Sequence, residues 1–294
     1  MVKKYYRIAK RAFYILINNP AFFFKRIFLG LKAFILPLPQ SPALANINGA
    51  LFEFDFNYSA KMKDMYFGTY QPLVTEILKT YLKKGDSFID VGANIGYFTA
   101  VAAGCVGKNG QIHSFEPVPE YFKRLESFAR INNQYKITVN QFAIGDEEKR
   151  EKIYIGGPSR IGNNTFFPES LEEIKAVSSA EVSICRLDKY IKEKNIKNIK
   201  LIKIDVESFE FPALRGLSGY FSECRNKNSY PLIICEICPS ICVRRGYKLQ
   251  DLFDYMKSFY FYPFEDVNTN KKIDINKMIK EGQEVDVFFK NIKI

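Results

Sequence analysis

The stretch that most constrains this chain is residues 88–99, Phe-Ile-Asp-Val-Gly-Ala-Asn-Ile-Gly-Tyr-Phe-Thr. A short apolar run ends in Asp90, turns through Gly92 and Gly96, and passes straight into a sequence that reads as helix. A strand entering a helix through a glycine turn opens a βαβ unit. The body repeats that alternation. Strands are expected at 87–91, 111–115, 136–142, 198–204, 232–237, 259–262 and 285–290. Helices are expected at 71–82, 97–103 and 119–132; Leu73, Ile77 and Leu78 share a face in the first, as do Phe122, Leu125, Phe128 and Ala129 in the last. Apolar strands alternating with helices imply an α/β architecture, a mostly parallel sheet covered on both faces. Residues 143–198 are long for one crossover and contain Gly156, Gly157, Pro158, Gly162, Asn163 and Asn164, the composition of a lid or binding loop.

Open α/β sheets bind ligands beyond the carboxyl ends of their strands. The first such end carries Asp90, Gly92, Asn94 and Gly96; the second, Ser114-Phe115-Glu116-Pro117, carries a carboxylate. Glu116 follows the turn at the separation where an acid can hold ribose hydroxyls. Asn94 stands where a nicotinamide fingerprint needs its second glycine, so close backbone approach to a pyrophosphate is disfavoured. A glycine turn, a ribose-binding acid and no phosphate cradle suit S-adenosylmethionine. Asp90 is expected near its methionine amine, directly or through the turn. Phe142 and Ala143, where the third strand ends, complete the expected cofactor contacts.

At the fourth strand, Leu201-Ile-Lys-Ile-Asp205-Val-Glu207-Ser-Phe-Glu210, apolar residues run into acids, and Glu236 closes the fifth. Asp205, Glu207 and Glu236 are expected to meet at one cleft as base, hydroxyl anchor or Mg²⁺ ligands. Glu207 and Glu210 also read as acids favoured by a helix N-terminus. His113, the one histidine, reads as a core strand residue. Cys235, Cys238 and Cys242 resemble a metal or iron–sulfur spacing, but Cys235 lies inside an apolar strand, and buried thiols are the expected reading.

These pieces resemble the FkbM-type S-adenosylmethionine-dependent methyltransferases. The matches are residues 88–99, 114–117, Ala143 to Asp146 (Ala-Ile-Gly-Asp), Leu187-Asp188, 202–217 and 234–237, together spanning about 85–260. The family usually has glycine after Asp-Val-Glu, where this chain has Ser208. The resemblance implies a Rossmann-like methyltransferase fold with a seven-stranded sheet, and methyl transfer to a hydroxyl of a sugar, glycan or secondary metabolite. It divides the chain into an extension, residues 1–50, and a methyltransferase domain, residues 51–294.

Composition bears mainly on partners. Hydrophobic residues are 47% and charged residues 26%, which excludes a disordered or collagen-like chain. Net charge is +11, yet eight basic residues (Lys3, Lys4, Arg7, Lys10, Arg11, Lys25, Arg26, Lys32) fall in the first 52, where no acid occurs. The charge is that of a basic arm, not of a nucleic-acid-binding body. An amino-group nucleobase methyltransferase would carry Asn/Asp-Pro-Pro-Tyr/Phe after the fourth strand; here stands Asp-Val-Glu-Ser. Residues 1–39 read as two short amphipathic helices either side of Asn18-Asn19-Pro20, suited to an anionic membrane surface or to packing on protein. The expected location is cytoplasmic, with attachment to the inner membrane face. An NAD-type oxidoreductase and a non-catalytic, membrane-associated assembly protein are the competing readings.

Overall fold

The computed structural model describes residues 16–17, 19–156, 162, 164–167, 175–239, 242, 247–267, 271–282 and 284–292. Of the two arm helices, the first falls largely outside these residues. The second is α1, Pro20–Ile35, opened by Asn19, whose side chain accepts the Phe22 N–H at 3.1 Å, and by a proline at its first position. A hairpin of β1 (Ala43–Ile47) and β2 (Ala50–Phe54) follows, so a division at residue 50 falls inside a folded unit. Two helices, α2 (Lys61–Phe67) and α3 (Pro72–Tyr81), lead into the sheet.

The alternation then runs β3 (Ser87–Val91), α4 (Tyr97–Val106), β4 (Gln111–Phe115), α5 (Pro119–Ile131) and β5 (Lys136–Asn140). The stretch expected as a loop instead builds β6 (Ala143–Ile144), β7 (Lys149–Gly156), β8 (Asn164–Thr165) and β9 (Ala176–Cys185). After α6 (Leu187–Glu193) come β10 (Ile199–Ile204), α7 (Glu210–Arg215), α8 (Ser218–Lys227) and β11 (Leu232–Ile237). The chain ends through α9 (Leu249–Ser258), β12 (Tyr262–Asp266), β13 (Lys271–Lys272), α10 (Ile275–Glu281) and β14 (Val285–Lys290).

Among the described residues the main sheet has eight strands in the order β13-β12-β14-β11-β10-β3-β4-β5. Strands β11, β10, β3, β4 and β5 are parallel, and β14 runs antiparallel between β11 and β12. This is a Rossmann-like α/β fold. The seven expected strands become eight because two-residue β13 adds to the β12 edge. The strand expected at 259–262 begins instead at Tyr262, since Tyr260 sits at φ 66°, a turn conformation.

The period-two alternation of buried strands sorts the core by face. Phe88, Ile112, Leu201 and Phe288 point toward one set of helices, including α3, α4 and α5. Ile89, Phe115, Ile202 and Phe289 point to the other, with α6, α8 and α9. Cys235 and Cys242 belong to that second core, as buried apolar-like thiols. His113 is also buried, its Nδ1 3.0 Å from the Tyr190 hydroxyl, and burial pushes its pKa down to about 4.

The hairpin lies close on α4. Asn48 Nδ2 donates to the Val101 carbonyl at 2.8 Å, and a Cβ on Gly104 would come 1.5 Å from the Asn48 carbonyl oxygen. Gly104→Ala must therefore lift the hairpin. We expect a loss of about 1–3 kcal/mol in denaturant unfolding, the usual cost of overpacking.

Candidate functional site

Strand order reverses between β3, which leads to β4 and β5, and β10, which leads to β11. A crevice opens at such a switch point. Here it is a cavity of about 320 Å³ at the carboxyl ends of β3, β4, β10 and β11. Gly92, at φ +79°, makes the crevice close-fitting: a Cβ there would meet the Asp205 carbonyl oxygen at 1.8 Å. The Gly92 and Ala93 amides both donate to the Phe115 carbonyl at 2.9 Å.

Glu116 braces this turn from the next strand. Its Oε2 accepts the Asn94 amide and its Oε1 the Val118 amide, each at 2.9 Å. Burial raises its pKa to about 7 even against these hydrogen bonds. The carboxyl forms part of the cavity wall with Phe115, Phe142, Ala143 and Ile144.

The other end of the cavity is acidic and holds a buried ammonium. Lys203 Nζ donates to Asp205 Oδ2 at 2.8 Å and lies 4.7 Å from the centre of the Phe98 ring. Burial opposes the charge on Lys203, but Asp205 and Asp90 outweigh it and the ammonium is retained. Burial likewise opposes ionisation of Asp205; the Lys203 charge and hydrogen bonds from Glu236 and Lys203 hold its pKa low nonetheless. Glu236, desolvated and beside that anion, is pushed up to about 11, so it carries the proton it donates to Asp205. Glu207 is raised well above the usual range by burial, then by Asp205 and Glu284, with Lys61 as the opposing charge. The Tyr70 phenol is raised by burial and by the same three acids, Asp205, Glu236 and Glu207.

The strands of 143–198 form a roof. Gly162, Asn164, Thr165 and Phe166 line the cavity, and Phe166 packs on Phe209 with ring centres 4.7 Å apart. A Cβ on Gly162 would lie 2.9 Å from Glu207 Oε1, so the loop passes directly over that carboxylate. Left-handed φ angles gather here: Gln71 at 36°, Asn94 at 53°, Glu207 at 50° and Ser208 at 81°. Backbone strain of this kind concentrates at functional sites. Two buried acceptors on the cavity wall, Gln71 Oε1 and Asn164 Oδ1, have no hydrogen-bond partner.

Of the expected cofactor residues, Gly92, Asn94, Glu116, Phe142 and Ala143 line the cavity; Asp90 and Gly96 do not. Asp90 is wholly buried beneath the turn and accepts the Thr99 hydroxyl at 2.7 Å, and Gly96 caps α4 against Leu125. Both shape the turn from behind. Asp205, Glu207 and Glu236 do converge, while Glu210 caps its own turn by accepting the Ser208 amide at 2.8 Å. The expected Mg²⁺ site does not fit. Among the described residues no group of three His, Cys, Asp or Glu is arranged to hold a metal ion, and Asp205 is already engaged by an ammonium and a carboxyl proton. The sequence reading placed Gly162 and Asn164 in a binding loop but missed Lys61, Tyr70, Gln71, Lys203 and Glu284. Only Lys203 gave a signal, a charge in the middle of an apolar strand.

Fold and site together define a Rossmann-like protein with a nucleoside-sized cavity at its switch point. The family model described as the methyltransferase FkbM domain matches residues 90–263, and the chain belongs to that family. It is 32% identical over 146 residues to protein-L-isoaspartate O-methyltransferase of Methanococcus aeolicus, covering 48% of this chain and 66% of that one. It is 30% identical over 160 residues to the 31-O-demethyl-FK506 methyltransferase FkbM of Streptomyces tacrolimicus, covering 46% and 61%. The chain thus spans just under two thirds of these relatives' length. A crystal structure of methyltransferase FkbM from Methylobacillus flagellatus aligns with a TM-score of 0.43 at 15% identity, covering 94% of this chain and 60% of that one.

The two acids on either side of the shared proton should respond differently to substitution. Asp205→Asn leaves the buried Lys203 ammonium short of its partner and should cost about 3 kcal/mol in denaturant unfolding. Glu236→Gln replaces one neutral donor by another and should cost less than about 1 kcal/mol.

Proposed function

We propose that this chain transfers a methyl group from S-adenosylmethionine to a hydroxyl oxygen of a sugar, glycan or other secondary metabolite. The observation that carries this is Glu116, a buried carboxyl braced by two backbone amides and facing a nucleoside-sized cavity beside a glycine turn. Glu116 would accept the ribose hydroxyls, and the Gly92 to Ile95 backbone, Phe142 and Ala143 would border the nucleoside. Gln71 and Asn164 offer buried acceptors that lack donors, matching the amino groups of such a ligand. Asp205 keeps its negative charge at the end where a cationic group would sit, with the carboxyls of Glu207 and Glu284 beside it. When bound, the cofactor supplies an electrophilic methyl group on a sulfonium.

The chain's own task is to aim an oxygen and remove its proton. Asp205, fixed by Lys203 and Glu236, is a poor base and a good anchor for a hydroxyl. Glu207 has the raised basicity a proton acceptor needs, and positive charge brought into the cavity would favour its ionised, proton-accepting form. The names of the two relatives reported above specify transfer to oxygen. Asn94 at the second glycine position counts against a nicotinamide dinucleotide.

Titration calorimetry tests the cofactor. Glu116→Ala should weaken S-adenosylmethionine binding by about 1.5–3 kcal/mol, the scale of a charge-assisted hydrogen bond. Ligand hydroxyls donate to the charged carboxylate, so binding should favour the deprotonated form of a group whose pKa is about 7. Affinity should therefore rise between pH 6 and 8, losing up to roughly tenfold per unit below 7, and Glu116→Gln should flatten that profile. Preferential binding of NAD would overturn the assignment. Incubation with a panel of sugars and a cellular glycan extract, read by mass spectrometry as the gain of one methylene, tests the acceptor. Glu207→Gln should lower that transfer by roughly 10²–10⁴ while leaving cofactor affinity nearly intact.

A further inference from the structure

Helix α1 is joined to the body along one side only. Phe22 is buried, Leu29 approaches Gly68 at the end of α2, and Lys25 Nζ bridges to Glu76 on α3 at 2.7 Å. The opposite side carries Phe24, Ile27, Phe28, Leu31, Phe34 and Ile35, spaced by three or four residues as one helical stripe. All six are exposed, Phe28 by 61% and Phe34 by 87%. Leu36 and Leu38 continue the patch beyond the helix. A contiguous apolar face of this extent on a protein surface calls for a partner.

We infer that α1 lies in the headgroup region of an anionic bilayer, its Phe24–Phe28–Leu31–Phe34 stripe inserted among the acyl chains. Charge decides between this occupant and a second copy of the chain. Residues 1–52 hold eight basic residues and no acid. A two-fold contact through α1 would bring two such arms together, like charge against like charge. An anionic lipid surface attracts the same arm, and a basic helix with one Phe/Leu face is the form that binds it. Among the described residues no helix is long and apolar enough to cross a membrane. Helix α1 touches α2 and bridges to α3, the elements beside the cavity residues Lys61, Met65, Tyr70 and Gln71. Helix α1 is thus joined to the same elements that supply one wall of the cavity.

Co-sedimentation of the full chain with vesicles tests this. Phosphatidylcholine vesicles containing phosphatidylglycerol should retain the protein at least about tenfold better than phosphatidylcholine alone, and rising salt should erase the difference. The exposed pair Phe28→Ser/Leu31→Ser should reduce binding by more than about tenfold, because it removes apolar area from the contact. Its melting temperature and its S-adenosylmethionine affinity should not change, so the readout is separate from the proposed activity. Three outcomes would overturn the inference. One is equal binding to neutral vesicles. Another is vesicle binding that survives the double substitution. The third is a chain that ignores vesicles but sediments as a dimer, with the double substitution making it monomeric; the stripe would then cover a second copy.

Discussion

The structure turns on one close approach. The turn after β3 lies so tightly on the end of β10 that position 92 has no room for a Cβ beside the Asp205 carbonyl. That contact sets where the Asp205 side chain begins, and Asp205 in turn determines the protonation of its neighbours. It keeps Lys203 charged inside the protein and keeps Glu236 protonated. A glycine with a left-handed φ is thus the backbone condition for an electrostatic arrangement built from side chains at the ends of two neighbouring strands, β10 and β11. Asp90 and Thr99 support the same turn from beneath, which is why an acid at the strand end contributes to the site without entering it.

How far the sequence revealed this depends on whether the determinants are local. The strands, the helices and the cofactor wall follow from short runs: an apolar strand, a glycine turn, an acid at the next strand end. Gly92, Asn94 and Glu116 were legible for that reason. Asp90 and Gly96 belong to the same motif, but spacing cannot tell a residue that faces a cavity from one that faces the core beneath it. The acidic end was only half legible. Asp205, Glu207 and Glu236 announce themselves at strand ends, whereas Lys61, Tyr70, Gln71 and Glu284 come from separate segments that only the fold brings together. The expected metal failed because a carboxylate in sequence carries no information about what already occupies it; Lys203 and a shared proton fill that place.

The stretch between β5 and β10 shows a different limit. Its glycines and asparagines suggested a loop, yet β7 and β9 pair antiparallel over most of their length. β7 and β9 carry charged residues on their exposed side, including Arg150, Lys152 and Glu181. An ion pair across the two strands joins Arg150 to Glu181 at 3.3 Å, a contact of little energetic weight on an open surface. The buried side, with Ile153, Val182 and Ile184, does the holding. The connection is therefore a small sheet laid over the main one, and among its described residues Gly162 descends onto Glu207.

That descent separates two kinds of chemistry within one cavity. On the Glu116 side, a carboxyl is held by backbone amides that cannot move, among aromatic walls, and its charge is set by burial. This suits a ligand that is bound but does not react there. On the Glu207 side, four acids, the Lys203 ammonium and a phenol share one small volume, so the protonation of each depends on the others. A change of charge there is felt by every member, which is the condition for moving a proton when a ligand arrives. Ser208 extends the argument to the backbone. At φ 81° it occupies a conformation that glycine would adopt with less strain, and its amide is held by Glu210. The strain sits next to Glu207, beneath the roof, where the carboxylate must be presented at a fixed angle to whatever occupies the cavity. The cost of holding that angle falls on the hydrogen bond to Glu210 and on the packing of Phe209 against Phe166, so the roof and the acid beneath it act as one unit.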